Sequence, residues 1–362
     1  MTIYLLLFAF IALMAAIFYY PNSNKAQFNK VFTVLIFISL VLIIGLRHPS
    51  MGNDLKYGES NGYLGAFEVL SKMSWSEILK LEAFLNYERG FIIYCKLVSS
   101  IWNNHQFFLF ISALLSIFPI FLTIYKKSEN AIMSSLIYMG VPAFFIIFSG
   151  VRQGLAIGIC FFAVLILLKE RKSIYTIILF ILIVLLAWTF HSSSIIFLLA
   201  LPLYYIKFDK TSRWISVGIL PIIYLGRNWL FSILSKLFKD DAVANDTGAL
   251  TLLLVFVGIY VFCILFSSNN DREYNWYMNM FYIACVCQIF GGIFDTARRV
   301  GYYFMLALVL LLPKLISDMK VKSNELLSQI GVNIAFGAYA IYSIYTSTWA
   351  MAYPHHFFWE II

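Results

Sequence analysis

The chain has 362 residues, of which 62% are apolar and 12% charged, and its mean hydropathy is +0.84. A soluble domain carries roughly 25% charged residues, so a composition this apolar, with 35 Phe and 23 Tyr, would leave large greasy patches in water. It excludes a soluble enzyme, a nucleic-acid binder and a secreted module, and it reads as an all-α integral membrane protein. The formal charge of +8 then reports orientation relative to the cytoplasm, not a polyanionic partner.

Apolar runs of roughly 17–20 residues, the length a bilayer core requires, predict about twelve transmembrane helices. They fall near 2–20, 29–46, 106–125, 131–149, 151–168, 173–190, 193–207, 214–231, 249–267, 276–294, 299–317 and 329–349. The first run has no basic segment ahead of it and no small-residue cleavage site behind it, so it reads as a retained span. Pro119, Pro142, Pro221, Gly291 and Gly292 lie inside runs, where membrane helices tolerate them. The chain reads as one polytopic domain, 1–362, with outer loops at about 47–105 and about 232–248. Within the first loop the apolar piece Gly90 to Trp102, about 13 residues long and containing Lys96, reads as a re-entrant or interfacial helix. Cys95, Cys160, Cys263, Cys285 and Cys287 form no metal-ligand or CxxC pattern and read as small core residues.

Basic residues set the sidedness. Lys25, Lys30, Lys126, Lys127, Lys169, Arg171, Lys172, Lys207, Lys210, Arg213, Arg272, Lys314, Lys320 and Lys322 fall at alternate ends of the span list, so they share one side. The positive-inside rule makes that side cytoplasmic and puts both chain ends outside. Of 17 Lys, 11 are then cytoplasmic, as topology demands, whereas 6 of 9 Arg are outside, where topology gives no reason for them. These are Arg47, Arg89, Arg152, Arg227, Arg298 and Arg299. Guanidinium binds phosphate bidentately and keeps its charge in a poorly hydrated site, so an outer cavity lined by arginines points to an anionic ligand such as a diphosphate.

Polar motifs punctuate the apolar runs. Gly45-Leu46-Arg47, followed by Gly52-Asn53-Asp54 and Tyr57, closes the second run; a solvated helix end with a Gly/Asn turn is the competing reading. Glu88-Arg89-Gly90-Phe91 opens the short apolar piece, where an acid at a helix start is also favourable for dipole reasons. Ser149-Gly150-Val151-Arg152-Gln153-Gly154 is the sole break between two runs and places Arg and Gln at or near membrane depth, a functional hypothesis by default. His191, after Trp188-Thr189-Phe190 and before Ser192-Ser193-Ser194, is a candidate proton acceptor at an outer hairpin. Asp295 stands at i, i+3 and i+4 from Arg298 and Arg299, which is also the spacing of a self-satisfied ion pair, and Tyr302 continues that surface. His355, His356 and Glu360, among Phe and Trp, suggest an interface and no chemistry. P-loop, GxGxxG, GxSxG and HExxH patterns are absent, which removes support for nucleotide, nicotinamide and zinc hydrolase chemistry.

In this order along a polytopic chain, GLR with GND and Tyr57, ERGF, SGVRQGLA and the hairpin histidine resemble the EpsG family of Wzy-like bacterial polysaccharide polymerases, over roughly residues 30 to 310. The resemblance implies a metal-independent membrane glycosyltransferase without cofactor, of GT-C-like architecture, in the bacterial cytoplasmic membrane. It would join undecaprenyl-diphosphate-linked repeat units of O-antigen, capsule, lipopolysaccharide or exopolysaccharide on the outer face, with a Wzx-type flippase and a Wzz-type chain-length co-polymerase as partners. Under that reading Arg47, Arg89, Arg152, Arg298 and Arg299 hold the departing diphosphate. His191, then Asp54, then Glu88 are the candidate proton acceptors, and Tyr57, Gln153, Trp188 and Tyr302 hold sugars. An O-antigen ligase uses the same donor and stays open as an alternative. So does a flippase of lipid-linked oligosaccharide, although a transporter needs its arginines from both faces.

Overall fold

The computed structural model describes residues 2–19, 25–56, 58–59, 61–81, 87–169, 173–238, 247–267 and 271–361. Among them every regular element is helical: α1 (Thr2–Met14, continued by a π turn), α2 (Lys25–Gly45), a 3-10 turn (Asn53–Leu55), α3 (Tyr63–Lys72), α4 (Trp75–Lys80), α5 (Arg89–Ile101), α6 (His105–Lys127), α7 (Ala131–Gly140) and α8 (Pro142–Ser149). Then follow α9 (Val151–Leu167), α10 (Ile174–Trp188), a 3-10 stretch (Ser192–Leu199), α11 (Ala200–Tyr205), α12 (Lys210–Phe238), α13 (Thr247–Phe266), α14 (Arg272–Phe290), α15 (Asp295–Met305), α16 (Leu308–Ser317) and α17 (Lys322–Thr346).

Among the described residues five helices, α2, α6, α12, α13 and α17, are long and apolar enough to cross a membrane, and two bent pairs bring the number to seven. One pair is α7 with α8, bent by 63° at Val141, where Pro142 removes a backbone donor and pushes the residue before it out of helical geometry. The other is α15 with α16, bent by 40°. Four further apolar helices are shorter than a full span. Five to seven is fewer than the twelve spans expected: the runs at 2–20, 151–168, 173–190 and 193–207 fall on helices shorter than a full span, and α14, on the run at 276–294, carries buried Asn275, Asn279 and Gln288 in place of a continuous apolar surface. The exposed Ile222, Leu225 and Trp229 of α12 present the apolar exterior that lipid accepts.

The chain divides into two compact units, residues 1–195 with 330–362, and residues 196–329. In the first, α2 packs on α6, α6 on α9 and α9 on α10. The stretch 47–105, expected to hold one short helix, holds three among its described residues. α5 buries Phe91, Ile92, Tyr94, Cys95 and Val98, the i, i+3, i+4, i+7 stripe of an amphipathic helix. It packs against α3, α4 and α6 over a core that includes Leu64, Phe67, Ile78 and Phe108. A capping box at Ser74 and Glu77 starts α4.

Beyond α17 the tail returns to the end of α2. Phe358 N–H donates to the Leu46 carbonyl at 3.0 Å, His48 N–H donates to the His356 carbonyl at 2.8 Å, and Tyr4 Oη donates to the Ala352 carbonyl at 3.0 Å. In the second unit α14 is central, packed by α11, α12, α13, α15 and α16. Asn279 Nδ2 donates to the carbonyls of Leu203 and Ile206 at the end of α11, at 3.0 and 2.9 Å. The buried Arg213 guanidinium donates to Tyr260 Oη and Asn275 Oδ1. The free cysteines are buried, except Cys287, which is partly so.

Candidate functional site

Gly150 separates α8 from α9, so Arg152 lies in the first turn of α9. Its Nη1 forms an ion pair with Glu88 Oε2, from the turn before α5, and both side chains are about four-fifths enclosed, at 18% and 21% exposure. Glu88 occupies the N-cap position of α5 but does not cap it with its side chain. Its other oxygen, Oε1, accepts the Ser192 N–H at 2.8 Å. One carboxylate therefore ties together the arginine motif, the ERG motif and the histidine hairpin. Gly90 makes the approach possible: its N–H donates to the Thr189 carbonyl at 2.8 Å, and a Cβ there would stand 2.2 Å from Thr189 Oγ1 and 2.7 Å from Thr189 O.

Aromatic rings fix the guanidinium from its remaining sides. Arg152 Nε donates to Tyr63 Oη at 3.3 Å, and its central carbon lies 4.4 Å from the Tyr87 ring centroid. The Tyr63 and Tyr87 rings stack at 5.4 Å, and Phe91 meets both edge-on. Burial pushes the Tyr87 phenol up to about 12, so it remains a neutral face for the cation. An arginine held by a carboxylate, a phenol oxygen and a ring face is preorganised for an anion, because little reorientation remains to be done when charge develops nearby.

The GND motif docks on the end of α8, just before that helix. Gly52 has φ 121°, a conformation that disfavours side chains, and a Cβ there would come within 2.1 Å of the Phe148 carbonyl oxygen. Asn53 N–H donates to Ser149 Oγ at 2.8 Å, and Ser149 Oγ donates to the Trp349 carbonyl at 2.9 Å, so Ser149 clamps the motif to the tail. Asp54 is exposed, with no hydrogen-bond or ion-pair partner among the described residues, and its charge acts on the Tyr87 phenol. Tyr57, expected to hold a sugar, lies outside the described residues.

Other expected site residues are placed differently. Arg47 is 1% exposed. Its Nε donates to the Met51 carbonyl at 3.2 Å, Nη1 to Ile44 at 2.6 Å, and Nη2 to Phe148 and Ile147 at 3.2 and 3.4 Å. Burial lowers its guanidinium to about 10, which still leaves it charged at neutral pH. The sequence reading put Arg47 on the diphosphate; enclosed by carbonyls, it instead joins the end of α2 to the end of α8. The signal for this was its position just past a helix end, where Arg satisfies the last-turn carbonyls.

Arg89, exposed, donates to the Leu79 carbonyl at 3.0 Å. Gln153 is buried, and Trp188 is half-exposed at the end of α10. His191 is half-buried in the turn after α10. Glu88, expected as a proton acceptor, has both oxygens engaged as described above. In the second unit Asp295 pairs with both Arg298 and Arg299, the latter through Nε at 2.6 Å, and Tyr302 is buried at 5% exposure, so its ring is not displayed for a sugar. The sequence reading missed Tyr63 and Tyr87; two tyrosines in loop-rich sequence carry no periodic signal.

These features define a helical membrane protein with a preorganised cation where three polar turns meet. A profile of the EpsG family matches residues 30–357, and the chain belongs to that family. The match supports the resemblance read from the motifs and runs beyond the 30–310 expected, into the tail that docks on the Arg47 motif. Membership points to a membrane protein of polysaccharide biosynthesis. No curated protein and no solved structure matches the chain.

Proposed function

We propose that the protein is a polymerase that joins undecaprenyl-diphosphate-linked repeat units into O-antigen, capsule or exopolysaccharide. The growing glycan passes to the non-reducing end of the incoming unit. The observation that carries this reading is the Glu88 bridge, which gathers onto one guanidinium the motifs on which the family resemblance rests. The acceptor hydroxyl oxygen attacks the anomeric carbon, the bond from that carbon to phosphate oxygen breaks, and its electron pair leaves on the diphosphate. Arg152 stabilises the charge that develops there. The hydroxyl proton passes to Asp54, whose carboxylate is exposed and uncommitted among the described residues. Arg47 positions the loop that carries Asp54.

The rest of the reading follows the family. The chain crosses the bacterial cytoplasmic membrane about twelve times in a GT-C-like arrangement, with the site facing outward and both ends outside. It works without metal or cofactor beside a Wzx-type flippase and a Wzz-type co-polymerase. The purified chain in lipid, given a defined undecaprenyl-diphosphate repeat unit without nucleotide sugar and with EDTA, is expected to yield a ladder of products resolved by size, and R152A to yield none. A folded wild type that binds substrate but makes no ladder overturns the polymerase in favour of a ligase lacking its acceptor or a flippase.

A further inference from the structure

His191 has the residue type of a general base, but its surroundings assign its proton. The backbone N–H of Ser193 donates to His191 Nδ1 at 3.3 Å, and Ser193 Oγ lies 2.8 Å from the same nitrogen. A backbone amide can only donate, so Nδ1 must offer its lone pair, and the neutral imidazole carries its hydrogen on Nε2. The chain builds the same turn at His48, where Ser50 N–H donates to Nδ1 at 3.2 Å and Ser50 Oγ lies at 2.8 Å. A histidine two residues before a serine is thus a local device that fixes the tautomer.

The turn is anchored where the leaving group is proposed to depart. Ser192, between His191 and Ser193, gives its N–H to Glu88 Oε1, while Glu88 Oε2 holds Arg152. The Ser194 N–H donates to the His191 carbonyl at 3.1 Å and tightens the turn further. We propose that His191 acts as a neutral Nε2–H hydrogen-bond donor to an oxygen of the departing diphosphate, beside Arg152, and takes no proton from the acceptor sugar. Such a donor gains strength as negative charge grows on that oxygen and needs no change of protonation during the reaction. The inference rests on the polymerase reading above.

The test compares H191Q, H191N and H191A with wild type in the size-ladder assay, from pH 6 to 9. A Gln amide can reach the Nε2 position and donate, whereas an Asn amide reaches only the Nδ1 position, where it still accepts the Ser193 N–H. H191Q is expected to stay within a few-fold of wild type, while H191N and H191A fall about 100-fold, the usual effect of removing one such donor. Solid-state 15N spectra of the unreacted protein, with His191 assigned by difference from H191Q, are expected to show a protonated Nε2 and a bare Nδ1. H191Q as inactive as H191A beside an active wild type overturns the donor role, as does a proton on Nδ1. H191N as active as wild type also overturns it, leaving only turn stability. A wild type that makes no ladder while the 15N tautomer is as expected fails the polymerase reading, not the tautomer assignment.

Discussion

Glu88 and Arg152 are 64 residues apart in sequence and form an ion pair whose carboxylate also accepts the Ser192 N–H. The pair is neither a surface ornament nor a self-contained buried bridge. Its cation faces two tyrosine rings, and its anion is the hinge point of a third turn. R152K keeps the charge but loses the fork that meets Glu88 and Tyr63 together, so it is expected to cost about 100-fold or more in ladder formation. E88Q retains an acceptor for Ser192 but frees the guanidinium, and is expected to cost about 10- to 100-fold. An R152K protein as fast as wild type would show that charge alone suffices.

Gly90 should tolerate nothing larger. G90A places a methyl against Thr189, and overpacking of this kind is expected to cost about 1–3 kcal/mol in thermal unfolding. Adding T189A should recover only part of the loss, because the Thr189 carbonyl oxygen still lies 2.7 Å from the new Cβ. Full recovery would mean that the side chain, not the backbone, sets the approach of α5 to the hairpin.

Arg47 should behave as a positioning residue. R47M leaves buried carbonyls at Ile44, Met51 and Phe148 without their donor and is expected to lose about 1–3 kcal/mol or more. R47K should lose nearly as much, since one ammonium cannot span those carbonyls. At a temperature where either variant is folded, binding of the lipid diphosphate should be unchanged; weaker binding that scales with diphosphate charge would return Arg47 to the ligand.

Docking of the tail should depend on pH. Burial lowers the His355 imidazole from its usual 6.5, with nearby Arg47 acting in the same direction against the hydrogen bond to Ile43 O and Glu360. Burial and His356 lower His48 in the same way, against Glu360. Tyr4 also packs on the His355 ring, at 5.5 Å. A released tail therefore binds protons at higher pH than a docked one, so docking is full above about 6.5 and weakens as pH falls through that value. Glu360, held below the usual carboxyl range by His356 and the Phe357 N–H, favours docking above about pH 4.5 and loses that contribution only as pH falls below it. Hydrogen exchange over 347–361, corrected for intrinsic rates, should rise from pH 7.5 to 5.5, and H355N should flatten the change. Equal protection at both values would remove the histidines from tail docking.

The sequence by itself determined that this is a helical membrane protein and where its apolar helices run, because lipid demands long apolar stretches and hydropathy records them directly. It also singled out Arg152, Glu88 and His191 and the ordered motifs on which the family resemblance rests, because polar breaks between apolar runs are conspicuous one residue at a time. Tertiary structure alone decided what each polar group touches. Arg47 and Arg152 look alike in sequence, yet one is closed in by four carbonyl contacts and the other is poised between a carboxylate and two rings. The bend at Val141 and the three helices between residues 47 and 105 depend on local breaks and amphipathic stripes too short to register as spans. The return of the tail to Leu46 and His48 depends on main-chain pairing across some 300 residues, and backbone hydrogen bonds leave no mark on side-chain identity.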